Sequence, residues 1–213
     1  MGVWVLIPVK PLLRAKSRLA DVLTPKQREQ LAEEMLRRTL QVVGAMPRIA
    51  GTLVISRDSY VLAISRELGA NTVQESGTPE LNSALMRATQ VLSGWRAGAV
   101  LVLPADIPLI NQDDLNDVIS FGQRAKTVVL TTDSRSDGTN VLLSRPPAAF
   151  SYAYGPQSFQ RHQQLARLAK MDVKIYESPR LMLDIDTPQD YARFQAYVSD
   201  GETAPLLTEE GAP

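Results

Sequence analysis

The sequence predicts an α/β fold in a single domain: a mostly parallel sheet with helices on both faces. Three observations carry that prediction. Short valine-rich apolar runs alternate with longer segments of helical periodicity between residues 3 and 132, the order expected of parallel strands joined by crossover helices. The runs are hydrophobic at nearly every position, as in strands covered on both faces. A length of 213 residues suits one domain, and no linker or internal repeat divides the chain.

The first run, VWVLIPV (3–9), reads as a strand. A helix begins at Thr24, which can cap it; Pro25 suits the first helical position and Gln27 completes a capping-box spacing. Leu31, Met35, Leu36, Leu40 and Val43 mark its buried face. GTLVIS (51–56) is the second strand, SYVLAISRELGA (59–70) a helix closed by Gly69, and LNSALMRATQVLSG (81–94) another helix. AVLVLP (99–104), the most hydrophobic run, is expected in the middle of the sheet. A helix capped by Asn111, with Asp114 three residues on, leads to the strand TVVLTT (127–132). Beyond it the pattern is less regular. TNVLLS (139–144) and LMLDI (181–185) read as strands, with a helix from about Ser158 to Lys170 between them. Thr187, Pro188 and Asp190 form the cap, first and third positions of the last helix. The domain then spans 1–198, and the tail 199–213, without periodicity, is expected to be disordered.

Composition excludes several function classes. Lysine plus arginine number 23 and aspartate plus glutamate number 23, so nothing draws the whole chain to nucleic acid or an acidic membrane. A polyanion would need a local cluster of cations. With no cysteine, disulfides, thiolate zinc sites and cysteine nucleophiles are excluded. The opening MGVWVLIPVK is too short and too soon interrupted for a signal peptide or a membrane span. The expectation is a soluble, cytoplasmic protein; a homo-oligomer stays open.

Carboxylates at strand ends are the first candidate site. LVLPADIPL (101–109) ends a buried strand on Asp106, and ligands of open α/β sheets bind beyond the carboxyl ends of strands. Asn111 is better placed to cap the following helix, which frees Asp106. In LMLDIDTP (181–188), Asp184 and Asp186 lie two apart and so share a face of an extended segment. Like charges side by side are costly unless a cation lies between them, and Thr187 can cap the next helix unaided. Three such carboxylates could meet around a hard metal. Magnesium takes few protein carboxylates and keeps its other positions for water and phosphate oxygens, and two such ions on a nucleotide would suit three carboxylates.

The loop after the first strand, IPVKPLLRAKSRL (7–19), carries Lys10, Arg14, Lys16 and Arg18. Cations at a strand's carboxyl end, beside metal candidates, suit a polyphosphate held by charge-assisted hydrogen bonds. There is no glycine-rich cradle, so neither a P-loop nor a dinucleotide-binding motif is present.

The segments IPVKPLLRAKSRL, LNSAL, LVLPADIPL, DGTNVLL, YGPQSFQRH and LDIDTPQD, in that order, resemble the nucleotidyltransferases that make the guanylylated precursor of coenzyme F-420, the phospholactate or phosphoenolpyruvate guanylyltransferases. The resemblance covers about residues 3 to 195. It implies the single-domain fold of nucleotide-diphospho-sugar transferases, a modified Rossmann-like sheet. It implies that Asp106, Asp184 and Asp186 bind two magnesium ions, that Lys10, Arg14, Lys16 and Arg18 hold the triphosphate of GTP, and that Lys16, Arg18 and Asp106 are catalytic. Thr139, Gly155 and Ser158 would bind a small phosphorylated carboxylic acid, which hydroxyl and amide donors suit; as a plain alternative, Ser158 could be an N-cap. Asn82 would read the base. Two segments depart from the family: Glu80-Leu81-Asn82 stands where glycine, leucine, asparagine is usual, and TTDSRSDGT places Asp133 and Arg135 where a proline–aspartate–arginine run is usual.

The only histidine, His162, sits in the helix after YGPQS; a lone histidine on a helix is as a rule structural or at the surface. The implied reaction needs no general base, because a phosphate monoester has a second pKa near ~6 and is already a nucleophile at neutral pH. The implied acceptor is phosphoenolpyruvate, with 2-phospho-L-lactate and 3-phospho-D-glycerate as alternatives. A non-catalytic nucleotide-binding module is the rival of another class.

Overall fold

The computed structural model describes residues 2–76 and 80–207. Seven strands form one sheet in the order β3-β2-β1-β4-β6-β5-β7: β1 (Val3–Val9), β2 (Ile49–Ser56), β3 (Asn71–Gln74), β4 (Ala99–Val102), β5 (Thr127–Thr132), β6 (Thr139–Arg145) and β7 (Asp172–Ile175). The strands β1 to β4 pair in parallel, as do β5 and β7, while β6 runs antiparallel to both its neighbours. The fully buried β4 takes the central place that its composition predicts. The reversal of β6 follows from chain length. The segment 133–138 between β5 and β6 is too short for a crossover, which needs a dozen residues or more.

The helices are α1 (Pro25–Gly44), α2 (Ser59–Glu67), α3 (Leu81–Gly94), α4 (Gln112–Phe121), α5 (Ser158–Leu168), the single turn α6 (Pro179–Met182) and α7 (Pro188–Ser199). Thr24 and Thr187 cap α1 and α7 through complete capping boxes, and Asn111 caps α4 by accepting from the Asp114 N–H. Three expectations change. LMLDI is not a strand: Ser178 caps the turn α6, which starts at Pro179, and extended backbone follows. The edge strands β3 and β7 went unread because NTVQ and DVKI are short and half polar, without the apolar run that marks a buried strand. The tail is not structureless over its described part. Leu206 and Leu207 pack against a buried cluster, and Arg38 donates to the Thr203 hydroxyl at 2.6 Å. Residues 208–213 lie outside the described residues.

Each face of the sheet has its own core. One joins Val5, Ile7, Leu101 and Leu143 to Leu36 and Leu40 of α1 and Leu115 and Val118 of α4. The other joins Leu6, Leu53, Val102 and Leu142 to Leu85 and Leu92 of α3 and Ala166 of α5. A third cluster of Leu19, Leu23, Leu31, Met35, Leu109, Leu183, Ile185 and Phe194 lies under the loops at one edge of the sheet. No described helix is long and apolar enough to cross a membrane.

Ending the chain at Asp200 removes the leucines that pack on this third cluster. We expect a stability loss of about 1–3 kcal/mol in urea unfolding; an unchanged midpoint would show that the tail contributes nothing.

Candidate active site

The carboxyl ends of β1, β4 and β5 share one edge of the sheet, and because β6 is reversed, its first residues, Thr139 and Asn140, lie on the same edge. Four segments converge there.

Asp106 follows β4, and the segment with Asp184 and Asp186 docks on it through one backbone bond, Ile185 N–H to the Asp106 carbonyl at 3.1 Å. Side-chain alternation does the rest. Leu183 and Ile185 are 2% and 0% exposed in the third cluster, which leaves Asp184 and Asp186 on the opposite side of the extended backbone. Asp190 fastens the segment's far end. Its carboxylate accepts from the Asp186 N–H at 3.3 Å, the Thr187 N–H at 2.9 Å, the Thr187 hydroxyl at 2.7 Å and Arg135 at 2.8 Å. Burial pushes the Asp190 carboxyl up, but the bonds from Thr187 and Arg135 outweigh it and hold it below the usual range. Arg135, singled out as a departure from the family, thus steadies the acidic segment from outside. Asp133 shapes the turn that carries Arg135 by accepting from the N–H groups of Arg135 and Asp137.

The carboxylates meet a cation. The Lys16 ammonium lies 2.8 Å from Asp106 Oδ2 and 3.1 Å from Asp186 Oδ1, with its side chain only 7% exposed. Burial disfavours its charge, but Asp106 and Asp186 outweigh burial and raise its pKa. Asp186 shows the reciprocal effect: burial pushes it up, and Lys16, Arg18 and Lys10 bring it down below its ordinary value. Asp184 lacks this compensation. Burial, then the charges of Asp106 and Asp186, push its carboxyl up to about 6, against a weak bond from Asn140 Nδ2 at 3.4 Å and one from its own backbone. So the three acidic residues are electrostatically coupled, and one of them carries negative charge that no side chain neutralises well.

Among the described residues, no group of three or more acidic or histidine side chains has the spacing of a formed metal site. The cation between Asp106 and Asp186 is Lys16 itself, so the predicted ligand set is gathered but not preassembled. The donor set still fits a hard divalent ion. All three are oxygen donors, Lys16 engages one oxygen each of Asp106 and Asp186, and the raised pKa of Asp184 marks a surplus of negative field.

The basic loop divides in two. Lys10, Arg14 and Arg18 are exposed, and Arg18, at 72% exposure, reaches within 3.9 Å of Asp186. Lys16 turns inward at a left-handed backbone position (φ 53°) and is spent on the carboxylates. The loop is moored by the Leu12 N–H, which donates to Asp58 Oδ2 at 3.1 Å.

The expected acid-binding residues also converge. The Thr139 N–H donates to Ser158 Oγ at 2.9 Å, and Thr139 Oγ1 lies 2.9 Å from His162 Nδ1. Ser158 is the first residue of α5, and the residue at the N-cap is Gln157, so Ser158 does not cap its own helix. Gly155 sits at φ +120°, a conformation that side chains resist. The chain leading to it is gripped three ways. Ala153 N–H bonds His162 Nε2 at 2.9 Å, Ala153 carbonyl accepts from Arg161 at 2.6 Å, and Asn82 clamps the Tyr154 backbone at 2.7 and 3.2 Å. Asn82, expected to read the base, thus has both ends of its amide on Tyr154. Glu80, in place of glycine, caps α3 by accepting from the N–H groups of Asn82 and Ser83. Asn140 escaped sequence reading. The capping-box spacing identifies Asp190 but not as the anchor of the acidic segment, and His162 reads as structural or at the surface but not as the bridge between Thr139 and Ala153.

A family model described as guanylyl transferase CofC like matches residues 3–208. The chain is 41% identical over 199 residues to the phosphoenolpyruvate guanylyltransferase of Rubrobacter xylanophilus, covering 92% of this chain and 95% of that one. It is 36% identical over 186 residues to the 2-phospho-L-lactate guanylyltransferase of Methanothermobacter thermautotrophicus, covering 87% and 80%. In fold it is similar to a nucleotidyl transferase from Methanothermobacter (TM-score 0.66, 14% identity, 94% and 99% of the chains). It is likewise similar to a 4-diphosphocytidyl-2C-methyl-D-erythritol synthase (TM-score 0.64, 14% identity, 92% and 99%). With its acidic cluster, basic loop and buried hydroxyls Thr139 and Ser158 on one sheet edge, this chain belongs to the CofC-like guanylyltransferase family and is a nucleotidyltransferase.

Proposed function

We propose that the protein transfers the guanylyl group of GTP to the phosphate of phosphoenolpyruvate, releasing pyrophosphate and giving enolpyruvoyl-2-diphospho-5'-guanosine for coenzyme F-420 biosynthesis. The observation that carries this reading is the convergence of Asp106, Asp184 and Asp186 with Lys16 and Arg18, in a chain 41% identical to a phosphoenolpyruvate guanylyltransferase.

In this mechanism an oxygen of the acceptor phosphate attacks the α-phosphorus in line, and the bond to the bridging oxygen breaks. No proton moves, because the acceptor is already largely dianionic at neutral pH. That matches a site whose only histidine is buried and fully engaged. Catalysis is then positioning and charge neutralisation. Asp106, Asp184 and Asp186 would hold magnesium, two ions in our reading, which supplies charge neutralisation at the phosphate oxygens. Lys16 holds Asp106 and Asp186 together. Lys10, Arg14 and Arg18 face solvent and take the polyphosphate. Of the two cations expected to stabilise the leaving pyrophosphate, Lys16 or Arg18, the exposed Arg18 is free to do so, whereas Lys16 is engaged by the carboxylates. Thr139, Ser158 and Gly155 receive the acid.

The decisive experiment is pyrophosphate release by purified protein with GTP, magnesium and each acid separately. We expect phosphoenolpyruvate to be preferred. Preference for 2-phospho-L-lactate or 3-phospho-D-glycerate would reassign the acceptor, and GTP binding without release under any acid would favour a non-catalytic module.

Asp106→Asn keeps the shape of the side chain and removes its charge. Turnover should fall by roughly a hundredfold or more with the circular dichroism spectrum unchanged; wild-type turnover would remove Asp106 from the mechanism.

Asp184 makes the opposite demand on stability. A carboxyl whose folded pKa is raised from 3.8 to about 6 binds its proton more tightly in the folded state. Stability is therefore lost as pH rises through that interval, and the full cost stands above it. In chelator at pH 8, Asp184→Asn should be more stable than wild type by on the order of 1–2 kcal/mol, and the gap should close below about pH 4. The same variant should be inactive. A less stable variant at pH 8 would contradict the electrostatic reading.

A further inference from the structure

We infer that His162 is a positioning residue for the acceptor acid, acting by fixing the direction in which the Thr139 hydroxyl offers its proton. The inference rests on the reading above that Thr139, Ser158 and Gly155 receive the acid.

The hydrogen bonds determine the tautomer. Nε2 of His162 lies 2.9 Å from the Ala153 N–H. A backbone amide only donates, so Nε2 carries no proton, and an imidazolium is excluded. The neutral ring must then carry its proton on Nδ1, which lies 2.9 Å from Thr139 Oγ1. The ring donates and the hydroxyl accepts. A threonine has one hydroxyl proton, and it is left to point away from the ring. The same logic applies next door: the Thr139 N–H donates to Ser158 Oγ at 2.9 Å, so that hydroxyl also accepts from the protein and keeps its proton for another partner.

The result is a pair of adjacent hydroxyls, both buried, each accepting from the protein and each with its own proton left for a further partner. That arrangement suits an oxygen with lone pairs and no proton, as in an ionised carboxylate or phosphate. The same imidazole also ties down Ala153, two residues before Gly155, so one side chain holds two of the three acid-binding segments in register. The environment keeps the ring neutral. It is 0% exposed, Tyr154 packs edge-on at 4.8 Å between centroids and Phe150 at 6.4 Å. Burial, with the nearby Arg161 charge, brings its pKa down to about 4.

Two substitutions separate the ring's two bonds. In His162→Gln the amide oxygen can take the place of Nε2 and accept from Ala153, but nothing donates to Thr139. In His162→Asn the amide nitrogen takes the place of Nδ1 and keeps the bond to Thr139. With GTP, magnesium and phosphoenolpyruvate, His162→Gln should raise KM for the acid roughly ten- to hundredfold, the range expected for losing a hydrogen bond to a charged group. KM for GTP should not change. His162→Asn should recover most of the difference. Combined with Thr139→Val, His162→Gln should add no further effect, because once the hydroxyl is gone there is no proton left for the ring to direct.

An acid KM unchanged in His162→Gln, equal increases in both KM values, or effects that simply multiply with Thr139→Val would overturn the inference while leaving the reaction intact. A wild-type protein that transfers guanylyl to none of the acids would overturn the function reading and this inference with it. Should His162→Gln fail to fold, ring nitrogen chemical shifts of the wild-type protein at pH 7 decide the point. A protonated Nδ1 with a bare Nε2 supports the inference; the other tautomer, or an imidazolium, refutes it.

Discussion

The site depends on one buried ammonium between two carboxylates. Lys16 reaches Asp106 and Asp186 from a loop remote from both in sequence, and without it two negative charges would face each other in a half-buried setting. Removing one partner of such a cluster leaves an uncompensated charge and typically costs ~3–5 kcal/mol. The interaction is therefore better understood as gathering the site than as stabilising the fold. It brings together the segments after β1, after β4 and before α7, each of which is held in place by other means.

Those other means are apolar packing and backbone bonds. The third cluster puts Leu19 of the basic loop, Leu109 beyond Asp106, Leu183 and Ile185 of the acidic segment and Phe194 of α7 into one small core beneath the site. Each segment thus presents charge on one side and hydrocarbon on the other. The Ile185 N–H to Asp106 carbonyl bond sets the spacing between the two acidic segments, and Asp190 with Arg135 stops the second from swinging away. Asp184 is the point where the arrangement is left unbalanced. Its ionisation is disfavoured in the protein alone, as expected of a group arranged to meet positive charge from outside.

The region around Thr139 and Ser158, which we propose receives the acceptor, is built differently. It has few charges and fixes hydrogen-bond direction instead. His162, Asn82 and Arg161 each place polar atoms on the backbone or side chains of residues 139 and 153–154, so these segments are held in register by the protein itself. In the reading proposed here the reaction moves no proton and needs no general base, and the lone histidine bridges Thr139 and Ala153.

Much of this was legible in the residues. Valine-rich runs, capping boxes at Thr24 and Thr187 and the Asn111 cap depend on neighbours within a few positions, so local sequence determined α1, α4, α7 and the buried strands β1, β2, β4 and β5. Asp106, Asp184, Asp186 and the basic loop could be picked out because charge at the end of an apolar run is conspicuous. Tertiary structure alone decided what those charges do to one another. No local pattern says that Lys16 turns inward while Arg18 stays out, that Asn82 grips Tyr154, or that His162 bridges Thr139 and Ala153, because each partner lies many residues away. The same holds for β3 and β7, whose short half-polar sequences become strands only when an existing sheet edge offers them hydrogen bonds. Sequence determines which groups are available; folding determines their distances, and electrostatic and hydrogen-bond energies depend on distance and direction.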